Sequence, residues 1–272
     1  MLSKPSGSVV SPGAAASFRS LQAQLSGSVA LAVSPLGSGP IEVFGSVTTA
    51  HAWSTSKVPV LVTLLHDDER NGRSPSAPDR AYAQSALEES DNASIEALFS
   101  ELETIHGGLV PASETVQAEL RQAGDETTVI NVAPNNEGFT TYGQTPWSVA
   151  GEVTFYRSLA NGCLLDPADT SYVLGLMRSV IPSQRWGAGE AGYPPSLPIA
   201  LKGGWGPSNG LYQVRQTAII GSGRQGYVMA MLALPASGQF ADGVNMVTAL
   251  AQWARRNLIV ENNETPLPCR AS

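Results

Sequence analysis

Short apolar runs bounded by Gly, Pro and Ser lie near both ends of the chain, and longer segments with helical spacing fill its middle. Residues 18–25 carry helical spacing, with Ser17 placed as an N-cap. Two apolar runs follow, 29–33 and 41–47, and the Pro- and Gly-rich stretch between them predicts a β-hairpin with a loop. The dense run 58–65 predicts a buried helix beginning just after Ser54, with Pro59 in its early turns. A polar loop over 71–78 leads to helical segments 79–89, 93–103 and 113–123, the first two flanking Ser90-Asp91-Asn92. Residues 131–142, which include Pro134 and Gly138, are irregular. Pro146 suits a first helical position and predicts a helix to Asn161, with another over 168–180. Beyond a Pro- and Gly-rich stretch ending at Pro198, runs 199–201, 212–220 and 227–234 predict three strands, and 244–258 a closing amphipathic helix. No internal repeat is found.

Strands at both ends and helices between them predict an α/β (α+β sandwich) architecture: a sheet built from both chain ends, flanked by helices, with an inserted helical subdomain and a cleft between the two. The expected divisions are a flexible tether over 1–16, a sheet unit over 17–50 and 196–260, a helical unit over 51–195, and a tail over 261–272.

Composition narrows the function more than the fold. The 272 residues are 42% hydrophobic and 14% charged, and they carry a net charge of -7, which leaves no basic footprint for nucleic acid or anionic membrane. No apolar run approaches the roughly 20 residues that span a bilayer. Cys163 and Cys269 either pair or remain two buried thiols; neither they nor His51, His66 and His106 show metal-ligand spacing, so no metal or cofactor is expected.

Lysine is scarce, and that scarcity is informative. Of three lysines, Lys57 closes Ser54-Thr55-Ser56-Lys57 and Lys202 opens Lys202-Gly203-Gly204-Trp205. A serine hydroxyl is a weak nucleophile that needs a base, and from a helix start the i+3 side chain lies on the same face. Free N–H groups at that helix start also favour developing negative charge. Lys57 must be neutral to act, which requires burial or a neighbouring cation, and Lys202 is placed to be that cation. Ser90 suits proton relay and the Asn92 amide suits holding Lys57 and a substrate carbonyl, although Ser90-Asp91 equally suits capping the next helix. Gly204 permits close approach of a strand, so the Trp205 N–H can join that of Ser54 as an oxyanion hole; a solvated lysine on a β-turn is the alternative.

Ser-x-x-Lys, Ser-Asp-Asn and Lys-x-Gly in this order resemble the serine β-lactamase and penicillin-binding superfamily, class A β-lactamases in particular. Gly124-Asp125-Glu126-Thr127-Thr128 and Thr145-Pro146 add to the likeness, which extends over about 18–258. The resemblance implies Ser54 as the acylated serine, Lys57 as its base partner, Ser90 as relay, and Asn92 and Lys202 as substrate binders. Arg215 would anchor a substrate carboxylate. It implies a β-lactam or cell-wall peptide as substrate, a monomer, and a secreted or envelope location whose leader is absent from this sequence, a cytoplasmic one being left open. Three departures accompany it. Gly203 stands where a hydroxyl residue is expected, the stretch from Ser54 to Ser90 is short, and the 131–142 loop lacks Glu-x-x-Leu-Asn, leaving Glu137 as its only acid. The expectation is an acyl-enzyme slow to deacylate, with a ligand-binding protein on the same fold as the alternative.

Overall fold

A computed structural model describes residues 8–133, 136–260 and 265–270. In chain order, helix α1 (Ala14–Gln22) precedes strands β1 (Gly27–Pro35), β2 (Glu42–Gly45) and β3 (Thr49–His51). A 3₁₀ turn, Trp53–Ser56, then enters α2 (Lys57–Arg70), followed by α3 (Ala77–Gln84), a π-turn Ser85–Glu89, α4 (Asn92–His106) and α5 (Leu109–Ala123). Strand β4 (Pro146–Ser148), helices α6 (Val149–Ala160) and α7 (Pro167–Arg178), strands β5 (Ile199–Ser208), β6 (Leu211–Ser222) and β7 (Gln225–Pro235), and α8 (Phe240–Asn257) complete the order.

The main sheet is antiparallel with strand order β2-β1-β7-β6-β5, so the first and last thirds of the chain meet at the β1–β7 pair, Leu31 opposite Met231. Both sheet faces are covered, which explains why the central strands are unbroken apolar runs rather than alternating ones. One face meets α6 and the helical middle through Ala30, Val228 and Leu232; the other meets α1 and α8 through Leu31, Met229 and Leu250. Among the described residues no helix is long and apolar enough to cross a membrane.

Four local expectations change. Residues 8–16 are not a free tether: Val10 bridges Leu258, Ser8 and Val9 are buried, and the Ile259 N–H donates to the Val9 carbonyl; residues 1–7 lie outside the described residues. Gly13, in the left-handed region, precedes α1 in place of Ser17, whose hydroxyl instead accepts from the Trp253 indole at 3.0 Å. The helix expected over 79–89 is helical throughout, but its last turn, Ser85–Glu89, takes π geometry. Pro146 lies in β4, not at a helix start, because the segment pairs with β3; Ser148 caps α6 by accepting from the Gly151 N–H.

Cys163 and Cys269 form a disulfide over a sequence separation of 106 residues. It pins the tail to the end of α6, where Arg270 also pairs with Glu126 and donates to the Arg121 carbonyl. Closing so long a loop restricts the unfolded chain, so replacing both cysteines by serine is expected to lower unfolding free energy by about 2–4 kcal/mol in urea titration. No loss would mean the tail is already fixed without the bridge.

Candidate active site

The 3₁₀ turn at Trp53–Ser56 presents Ser54 at the mouth of a cleft between the helical layer and β5. Trp53 holds φ at 48°, a left-handed value that costs a bulky residue about 1–2 kcal/mol, and the strain sits directly before the serine. Ser54 is partly exposed, whereas Thr55, Ser56 and Lys57 behind it are buried. Pro59 falls in the first turn of α2, where its missing N–H has no intrahelical partner to lose.

Lys57 reaches across to the Ser90-Asp91-Asn92 turn. Its ammonium nitrogen donates to the Ser90 carbonyl at 2.5 Å and the Asn92 Oδ1 at 2.8 Å. Ser90 ends the π-turn in the left-handed conformation, φ 64°, and this kink lets one residue serve both lysines. Its carbonyl accepts from Lys57, and its hydroxyl accepts from Lys202 at 2.8 Å. Asp91 caps α4 by accepting from the Ser94 N–H at 2.6 Å, so capping and site-building coexist in one turn.

Burial pushes the Lys57 amine down to about 7, against a weaker upward pull from the carboxylates of Asp91 and Glu96. Of the two expected causes, burial is the operative one, and a charge on Lys202 is not. Lys202 is itself fully enclosed and held well below the usual lysine range, first by burial and then by Lys57. A charge on Lys57 thus adds to the burial that keeps Lys202 neutral.

Strand β5 runs on well past Lys202, which lies inside the strand rather than at its end. Its nitrogen also donates to the Gly203 carbonyl at 2.9 Å. Gly204 packs directly over the serine turn: a Cβ there would lie 3.0 Å from the amide nitrogens of both Ser54 and Thr55. Any side chain at 204 would push the strand off that turn.

Ser54, Lys57, Ser90, Asn92 and Trp205 thus line one cleft of about 110 Å³, completed by Trp53, Phe139 and Thr140. Glu137 is exposed and does not line it, and no carboxylate among the described residues does; Pro134 and Asn135 lie outside the described residues. Arg215 is not brought to the cleft either. It lies opposite Gly204, wholly buried on the face toward α6, where it pairs with the equally buried Glu152. It also donates to the carbonyls of Ala50, His51 and Trp147 at 3.0–3.2 Å. Arg215 fixes β3 and β4, and through them the serine turn.

Three residues were missed from sequence. Gln216, not Arg215, stands opposite Gly203. Its Nε2 donates to the Trp186 carbonyl and its Oε1 accepts from the Ala188 N–H, at 2.7 and 2.8 Å. A Cβ on Gly203 would lie 2.5 Å from the Trp186 ring, so the indole occupies the space of the absent hydroxyl side chain. Glu96, near Lys57, accepts from the buried Tyr142 hydroxyl at 2.7 Å.

A five-stranded antiparallel sheet flanked by helices is the fold of the β-lactamases. Comparison with solved structures shows the same fold. A β-lactamase from Xanthomonas campestris pv. campestris superposes with a TM-score of 0.70 at 20% identity, covering 90% of this chain and 97% of that one. The chromosome-encoded β-lactamase of Vibrio parahaemolyticus gives 0.70 at 14% identity, over 89% and 98%. An ancestral class A β-lactamase gives 0.67 at 17% identity, over 89% and 99%. No protein-family model and no curated protein matches the sequence.

Proposed function

We propose that the protein is a serine acyl-hydrolase that forms an acyl-enzyme on Ser54 and releases it slowly. The observation that carries this is Lys57: an amine pushed to about 7, one turn from an accessible serine and held by Ser90 and Asn92. Neutral Lys57 takes the Ser54 proton as the serine oxygen bonds to the acyl carbon. The oxyanion is stabilised by the N–H groups of Ser54 and Trp205. Collapse breaks the bond to the leaving group, which receives a proton from the Ser90 hydroxyl; Ser90 recovers in turn the proton that Lys57 took from Ser54, so that Lys57 returns to the neutral amine and Lys202 keeps its hydrogen bond to the Ser90 oxygen. Water then has to cleave the ester, and among the described residues no acid lines the cleft to activate it. Glu137 would have to move inward to do so.

The site titrates with a stated sign. A base with its pKa near 7 is neutral above that pH, so acylation rate rises about tenfold per unit as pH increases toward 7 and levels off above it. A rate profile that is flat from pH 5 to 9 contradicts Lys57 as the base.

Intact-mass time courses with benzylpenicillin test the reading. The expected result is a slowly formed, long-lived adduct on native protein and none on Ser54→Ala; an equal adduct on the variant overturns it. That no acid among the described residues lines the cleft favours one second reading, a binding protein for a cell-wall peptide or similar ligand. Ligand affinity that survives Ser54→Ala, without turnover of any acyl substrate, would establish that reading instead. The disulfide supports export to an oxidising compartment as part of the same proposal.

A further inference from the structure

We infer that the cleft selects acyl substrates that carry no charge beside the bond to be broken, with esters of apolar alcohols or phenols as the fitting class. The inference rests on the acyl-transfer reading above and narrows it.

Among the described residues Lys57 is the one basic group that lines the cleft, so no cation apart from it stands beside Ser54 to receive a carboxylate. Trp186 fills the space where a hydroxyl side chain on Gly203 would stand, and that tryptophan is fixed. Gln216 holds its carbonyl and the N–H of Ala188, and Gly187 between them has φ +68°, with a Cβ there meeting the Gln216 amide at 2.3 Å. These two hydrogen bonds from a buried amide fix the backbone that carries Trp186, and Trp205 and Phe240 pack against its ring at 6.3 and 6.4 Å between centroids. The nearby arginine is no substitute, because Arg215 is committed to Glu152 and three carbonyls on the other side of the strand. Lys57 and Lys202 are both held toward neutrality by burial. The charges that do act at the cleft are negative, since Asp91 and Glu96 lie close enough to pull on Lys57.

What the cleft offers instead is aromatic. Trp205 forms one wall, backed by Phe240 at 5.2 Å and Trp186 at 6.3 Å between ring centroids. Trp53 and Phe139, 5.2 Å apart, form the other. Such walls hold a flat apolar group and gain nothing from a carboxylate, which they would strip of water. In the reaction the Ser54 oxygen bonds to the acyl carbon, the bond from that carbon to the phenolic oxygen breaks, and the phenoxide takes the proton from Ser90. Water later returns Ser54 and the free acid.

Paired esters test this on the native protein: phenyl phenylacetate and 3-carboxyphenyl phenylacetate, each rate divided by the ester's own alkaline hydrolysis rate. Losing a hydrogen bond to a charged group is worth about tenfold or more, so the normalised kcat/KM is expected to favour the phenyl ester by at least about tenfold. The double variant Trp186→Ala/Gly203→Thr, which empties the space and adds the hydroxyl, is expected to shrink that ratio. Equal normalised rates, or preference for the carboxylated ester, overturn the inference. A fluorophosphonate read by peptide mass separates the two levels. Labelling of Ser54 with neither ester accepted overturns the substrate class while acyl transfer stands; no labelling of Ser54 overturns both.

Discussion

Lys57→Met is expected to lower the rate of the acylation proposed at Ser54 by roughly 10²–10⁴ at pH 8, the range that a positioned general base supplies. The loss should appear in the rate of covalent labelling, and the pH dependence around 7 should vanish with it. The same substitution stabilises the fold. A lysine whose amine falls from 10.5 to about 7 on folding binds its proton more readily in the unfolded chain, so the native state is penalised fully below pH 7. That penalty fades as pH rises toward 10.5. Lys57→Met is therefore expected to raise unfolding free energy by several kcal/mol at pH 6, about 5 at most, and by almost nothing at pH 11. An enzyme that gains stability as it loses its base would show that the amine is kept for chemistry. If stability falls instead at pH 6, the hydrogen bonds to Ser90 and Asn92 outweigh the burial of the amine.

The second large effect lies behind the cleft. Arg215→Met is expected to cost about 3–5 kcal/mol, because it leaves the wholly buried Glu152 without its cation. It also strands the carbonyls of Ala50, His51 and Trp147. Adding Glu152→Leu removes the orphaned charge but not the orphaned carbonyls, so the double variant should recover about half the loss. Urea titration of both proteins decides this. A single variant of native stability would mean the pair is not the clamp on β3 and β4 described above.

The contrast between these two residues explains what was legible in the sequence. Ser54 and Lys57, or Ser90 and Asn92, are placed by local geometry, one helical turn or one tight turn, so their spacing carries their relation. Arg215 depends on the register of β6 against β5. A shift of one residue moves a side chain to the opposite sheet face, and here that shift puts Gln216 beside Gly203 and sends Arg215 inward. Spacing along one strand does not encode that register. The same non-locality hid Trp186, which reaches Gly203 from a separate turn, and β4, whose pairing with Thr49–His51 overrides the helix-starting preference of Pro146. Strand β5 looked short because Gly203, Gly204, Gly206 and Pro207 are poor strand formers. Two of those glycines are required by contact: a Cβ at 204 would press on the Ser54 amide and one at 206 on the Trp53 ring. The fold class, carried by long apolar segments, was readable; the face each side chain takes was not.

The chemistry proposed for Ser54 depends on burial lowering the Lys57 amine to about 7. The sequence contains only three lysines, Lys4, Lys57 and Lys202, so selectively ¹³C,¹⁵N-labelled lysine gives three side-chain signals, assignable with Lys4→Arg and Lys57→Met. Following them by NMR from pH 5 to 11 measures the claim directly. The account predicts that the Lys57 signal titrates with a midpoint near 7. A Lys57 midpoint in the ordinary lysine range, above 10, would contradict it.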